Sequence, residues 1–126
     1  MAIRPYSLGD RGVNSELRIY RLAVDIGELS WEEVQGWENF AKWTIGKQLV
    51  ESADGISATM MEGYYRNQPG DKRKFFQYAL SSAKETELWC WKAQNRKIMS
   101  PEKYSTIKDL INDLLPQLVN FIKSIH

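Results

Sequence analysis

Few side chains in this 126-residue chain could do chemistry, and their spacing limits what that chemistry is. The single cysteine, Cys90, would need a base beside it to act as a nucleophile. The single histidine, His126, is the last residue and falls at the other end of the helical scheme set out below. Metal chemistry in a helical bundle draws on Glu-x-x-His motifs from facing helices, and one histidine cannot supply them. The glycines do not sit between a strand and a helix, so there is no phosphate loop. Glu62, Glu85 and Glu87 are inward-facing candidates, and paired carboxylates can do acid/base work. Pairing with Arg18, Arg21 or Arg66, or exposure on a solvated face, accounts for them better. We therefore expect no enzyme activity, no catalytic residues, no metal and no cofactor.

A binding function has more to rest on. Arg66, Lys72, Arg73 and Lys74 cluster around a turn beside Tyr64, Tyr65, Phe75 and Phe76. Cations interleaved with aromatics suit single-stranded nucleic acid, whose phosphates and bases they meet respectively. With Arg18 and Arg21 these four cations form the candidate nucleic-acid-binding set. The total of 17 basic and 16 acidic residues gives a net charge of +1, which excludes a uniformly basic coat but leaves room for a local patch.

These residues must be positioned by helices. Leu49, Ala53, Ile56, Met60 and Gly63 recur at steps of four and three, the seam of a helix packed along its length. Gly55 and Gly63 within it each cost about 1 kcal/mol of helix propensity, which only tertiary packing can offset. Leu17, Tyr20, Val24, Gly27, Trp31 and Val34 predict a first helix over about 15–35, capped by Asn14 or Ser15 and stopped by Gly36. The aromatic segment WENFAKW reads as a connection, with the second helix at about 44–66. Asn67, Gln68, Pro69 and Gly70 signal a turn, and Asp71 is the expected cap of a third helix over about 72–97. Its seam is Phe75, Ala79, Ser82, Thr86, Trp89 and Ala93. Ser100, Pro101 and Glu102 start a fourth helix over about 101–125, with Tyr104, Ile107, Ile111, Leu114, Leu118, Phe121 and Ile125 inward and Pro116 bending it.

Residues 1–13, with Pro5, Gly9 and Gly12, read as an irregular N-terminal arm. The remainder, 14–126, is all-α: an antiparallel up-down-up-down four-helix bundle. In that topology one end gathers Arg4, Arg11, Arg18, Arg21, Arg66, Lys72, Arg73, Lys74 and Lys123 against only Asp10, Glu16, Glu62 and Asp71. No segment reads as a signal peptide or membrane span, and a lone cysteine suits a reducing compartment, so we expect a cytoplasmic protein with no membrane contact. Five tryptophans and six tyrosines in so short a chain favour subunit interfaces as well as core, so Trp37, Phe40 and Trp43 read as packing or subunit contact.

Three segments resemble a known family, the four-helix-bundle proteins encoded in 23S rRNA intervening sequences (the S23 family). They are IYRLAVDIGE, FAKWTIGKQLVESADGISATMMEGYYR and FFQYALSSAKETELWCWKA, in the family's order. The family's central signature resembles Met60–Arg66, MMEGYYR, with Glu62, Gly63, Tyr64 and Arg66 as its structural positions. Thr59 stands where Asn is common, the two methionines where Ile and a small residue are, and Tyr65 where Gly is frequent. The resemblance implies a homo-oligomeric bundle, pentameric in relatives, without recognised enzyme activity. It extends to accessory proteins of diversity-generating retroelements, basic pentamers that bind nucleic acid and a reverse transcriptase. The expectation is a non-catalytic homo-oligomeric scaffold binding RNA, or DNA, through its basic end. The alternative is a structural or protein-interaction module that docks a partner such as a reverse transcriptase without touching nucleic acid.

Overall fold

The computed structural model describes residues 15–126; the expected arm and the Asn14 cap lie outside them. Helix α1 is Ser15–Gln35. Helix α2 begins as Asn39–Ala41, passes through a π-helical stretch at Lys42–Gly46 and continues as Lys47–Tyr64. Helices α3, Pro69–Asn95, and α4, Pro101–Ser124, complete the four, and no strand occurs among the described residues.

Each helix packs on its sequence neighbours, and α4 closes the square against α1. Contacts at the ends fix the directions. Tyr64, at the end of α2, donates its hydroxyl to the Glu16 carbonyl at the start of α1, at 2.7 Å. Arg73, at the start of α3, donates to the Ile125 carbonyl after α4, at 2.9 Å. Neighbours therefore run in opposite directions, which makes an up-down-up-down four-helix bundle.

The stripe Leu49, Ala53, Ile56, Met60 and Gly63 is buried throughout and forms the wall on which the other helices close. From α4, Ile107, Ile111, Leu114 and Leu118 are buried in the same core, whereas Tyr104, Phe121 and Ile125 are only half-buried. On α1 the expected seam is displaced except at Gly27 and Val34, which are buried as expected. The core stripe is Ile19, Leu22, Ala23, Ile26 and Val34, while Leu17, Tyr20 and Val24 are half-buried and Trp31 is 53% exposed. Helix α1 carries two apolar stripes side by side, and the heptad-spaced one is the outer of the two. Helix α3 is shifted similarly at three places. Phe76, Ala83 and Cys90 are buried where Phe75, Ser82 and Trp89 were expected, while Ala79, Thr86 and Ala93 sit where expected. Adjacent apolar pairs such as Phe75 and Phe76 satisfy either phase of a 3.6-residue period, and packing chooses.

The helix starts also differ from the sequence expectation. The aromatic connection is helical from Asn39, and within it the Thr44 hydroxyl donates to the Phe40 carbonyl at 2.6 Å and competes for the acceptor that the backbone ladder would use. The helix widens there instead of breaking. Helix α3 starts at Pro69, the favoured first helical position, so Asp71 lies in the first turn rather than at the cap. Ser100 does cap α4, accepting from the Lys103 amide at 3.2 Å. Helix α4 runs through Pro116 without a break. Beside that proline the Gln117 side-chain amide donates to the Asp113 carbonyl at 2.9 Å.

Candidate nucleic-acid interface and flanking groove

The turn between α2 and α3 is built by the residues of the signature. Gly63 is buried against Phe76, so closely that an added Cβ would lie 2.7 Å from Phe76 Cε2. That contact lets α2 and α3 meet at the turn. Tyr64 packs edge-on to both Tyr20 and Phe76, with centroids 6.2 and 5.4 Å apart. Its hydroxyl is spent on the Glu16 carbonyl, and burial, with Glu16 and Tyr20 adding, pushes its pKa well above the usual tyrosine value. Glu62 pairs with Arg66 one turn on, at 3.7 Å. Gly63, Tyr64 and Arg66 thus tie three helices together at this end, and Glu62 pairs only locally.

What the turn presents outward is Tyr65, 81% exposed, flanked by cations held against rings. The Arg66 guanidinium lies 4.4 Å from the Phe75 centroid, and Lys74 Nζ lies 5.9 Å from that of Tyr78. Among the described residues neither Lys72 nor Lys74 enters an ion pair. The six cations of the candidate set are not equally available, however. Arg18 turns to α4, donating to Gln117 Oε1 at 3.1 Å and pairing with Asp113 at 3.3 Å. Arg73 is committed to the Ile125 carbonyl. Arg21 is half-buried, and its Nε makes no hydrogen bond. Lys72 and Lys74 are therefore the cations without a carboxylate partner beside Tyr65, and Arg66 is shared between Glu62 and the Phe75 ring.

The carboxylates proposed as inward candidates have ordinary partners. Glu87 pairs with Lys108 at 2.9 Å, and Glu85 accepts from Trp89 Nε1 at 3.1 Å. Cys90 is buried, and burial, reinforced by Glu33 and Glu87 against the opposing Lys108, pushes its thiol up to about 12. It is a core side chain with no thiolate to offer near neutral pH. No group of three or more potential metal ligands occurs among the described residues, and no described helix is long and apolar enough to cross a membrane.

Two features escaped the sequence. The first is a polar contact inside the core. Thr86 Oγ1 donates to the Ser82 carbonyl at 2.7 Å and lies 3.1 Å from Ser52 Oγ, linking α3 to α2. Helical spacing had put Thr86 inward, but nothing in the spacing named its partner. The second is a pair of separate cavities on the flank where α1 meets α2. One, of about 380 Å³, is lined by Trp31, Val34, Trp43 and Val50 among others. The other, of about 540 Å³, is lined by Leu17, Tyr20, Met61 and Tyr65 among others. Between them α1 and α2 are in close contact, with Asp54 Oδ1 against Gly27. Trp43 is 71% exposed, whereas Trp37 is buried and donates its Nε1 to Glu33 at 2.9 Å. The outer stripe of α1 was the signal that could have found these cavities.

Comparison with known proteins agrees with this architecture. A crystal structure of a protein of unknown function from the S23 ribosomal protein family of Bacteroides thetaiotaomicron superposes with a TM-score of 0.82 at 20% identity, covering 88% of this chain and 100% of that one. At that identity the likeness speaks to the fold. No curated protein matches the chain. The model of the family described as 23S rRNA-intervening sequence protein matches residues 15–120, nearly the whole described bundle, and the chain belongs to that family.

Proposed function

We propose that this protein is a non-catalytic scaffold that assembles with copies of itself and binds single-stranded RNA through the α2–α3 turn. The observation that carries the reading is Tyr65, exposed beside Arg66 over Phe75 and Lys74 near Tyr78. An open ring offers a stacking surface to any base, worth about 1–3 kcal/mol per base, and adjacent cations meet the phosphates. Two lysines, with Arg66 shared with Glu62, are few cations for one chain, so useful affinity comes from repeating the turn in an assembly.

Anisotropy titration with a single-stranded RNA oligonucleotide tests it. Binding at low salt should weaken steeply as salt rises, and Tyr65→Ala should lower affinity without unfolding the protein. Replacing Lys72 and Lys74 by Glu should reduce the salt dependence, by roughly one unit of slope per lost phosphate contact. No binding at low salt overturns the RNA part. A nuclease-resistant protein partner, captured through the same turn, would favour instead a module that docks a nucleic-acid enzyme, a role compatible with Arg18 and Arg73 being committed internally.

A further inference from the structure

The cavity beside Tyr65 has the chemistry to choose among bases. We infer that it takes a guanine from the bound strand, the base lying against Tyr65 and Met61 with its pairing edge turned to the Glu16 carboxylate. This deepens the RNA reading and rests on it.

The cavity, of about 540 Å³, is bounded by Leu17 and Tyr20 on α1 and by Met61, Tyr64 and Tyr65 at the end of α2. Tyr65 and Met61 are exposed and form its rim, while Leu17, Tyr20 and Tyr64 are half-buried and form its inner wall. Aromatic and thioether side chains give a flat, unpaired base the apolar faces it needs. Stacking accepts every base, so any choice among bases falls to the polar atoms of the wall.

Those atoms, beside Tyr64, accept hydrogen bonds. Glu16 lines the cavity and is near enough to Tyr64 to help raise its pKa. Among the described residues Glu16 enters no ion pair, and the nearby Arg18 is turned away to Asp113 and Gln117. Tyr64 has already committed its proton to the Glu16 carbonyl, at 2.7 Å, which leaves a phenol oxygen that accepts. A carboxylate has two acceptor oxygens and is best met by two parallel donors. Guanine alone among the four bases carries two donors side by side, the N1 proton and the N2 amino group. Adenine and cytosine place an acceptor nitrogen next to their amino group, and uracil sets its one N–H between two carbonyls. Each of these three would turn an acceptor toward the carboxylate, with no proton between them. The guanine belongs to a strand because Lys72 and Lys74, past Tyr65 and in no ion pair among the described residues, have the phosphates of a continuing chain to meet.

Anisotropy titration at low salt tests the inference, using uridine octamers with one central guanosine, inosine or adenosine. The guanosine strand should bind about tenfold tighter than the adenosine strand, as one bidentate base contact provides. Inosine keeps the N1 proton and lacks the N2 amino group, so its strand should fall between them. Glu16→Gln replaces one acceptor oxygen by a donor and should bring the guanosine-to-adenosine ratio to about one. The backbone carbonyl that holds Tyr64 is kept in that variant, and circular dichroism checks its fold. Lys72→Glu with Lys74→Glu should weaken all three strands alike and leave the ratio in place. A ratio near one in the unaltered protein, or one that survives Glu16→Gln, overturns the inference and leaves the RNA reading standing. Guanosine monophosphate competing as well as the guanosine octamer would overturn the strand as the source of the base. No binding of any octamer overturns both readings.

Discussion

Gly63 lies flat against the Phe76 ring, with no room between them for a methyl group. Phe76 is fully buried and is itself pinned by Tyr64 and Phe121, at centroid distances of 5.4 and 4.8 Å. Alanine would improve the helix propensity of α2, yet Gly63→Ala should destabilise the protein by about 1–3 kcal/mol through overpacking. Urea unfolding measures this. An increase in stability would mean that the ring can move aside.

Thr86 and Ser52 give a second test, at the α2–α3 contact. Thr86→Val keeps the shape and removes the hydroxyl, so it should cost about 1 kcal/mol. The double change with Ser52→Ala should cost less than the sum of the single changes, since the two hydroxyls share one contact. Strict additivity would show that the 3.1 Å approach contributes nothing.

Cys90 should resist thiol reagents in the folded protein and react at once on unfolding. Its raised pKa also has a thermodynamic sign. The folded chain holds the proton above pH 9, where the unfolded thiol releases it, so this contribution is intact below about pH 9 and is lost as pH rises toward about 12. Cys90→Ala should flatten that alkaline decline in a series of melting curves. Rapid labelling of the native protein at neutral pH would contradict the burial that raises the pKa.

Asp54 works in the acid range. Burial, with Glu28 adding, raises its pKa, so the folded chain keeps a proton that the unfolded chain has already released. The associated stability is full below the ordinary value of 3.8 and is lost as pH rises through the folded value. Asp54→Asn should therefore raise the melting temperature near pH 7 and lose that advantage toward pH 4. An equal gain at both would point to a cause other than the charge.

The sequence was most legible where one helical face is apolar and its neighbours are polar. Leu49 to Gly63 on α2 and Ile107 to Leu118 on α4 are such faces, and their core positions follow from spacing. Phase was illegible where apolar residues are doubled, as at Phe75 and Phe76 or along the two stripes of α1, because spacing does not say which stripe meets solvent. At the turn, the cluster of cations could be read, but their commitments could not. Arg18 finds Asp113 and Gln117 some 95 and 99 residues away, and a partner at that distance exists only after folding.

The wide turn at Lys42–Gly46 holds one residue more than an α-helical turn would, and each residue of an α-helix advances the azimuth by about 100°. It therefore works as a phase shifter. The segment before it keeps Ala41 in the core, and the segment after it keeps Leu49 there, although no single α-helical phase serves both stretches equally well. Forcing the same residues into a regular α-helix would come at the expense of that agreement. Either Trp43's neighbourhood or the Trp37–Ala41 corner would have to swing about a quarter turn, so this insertion sets which aromatic rings the molecule shows and which it hides.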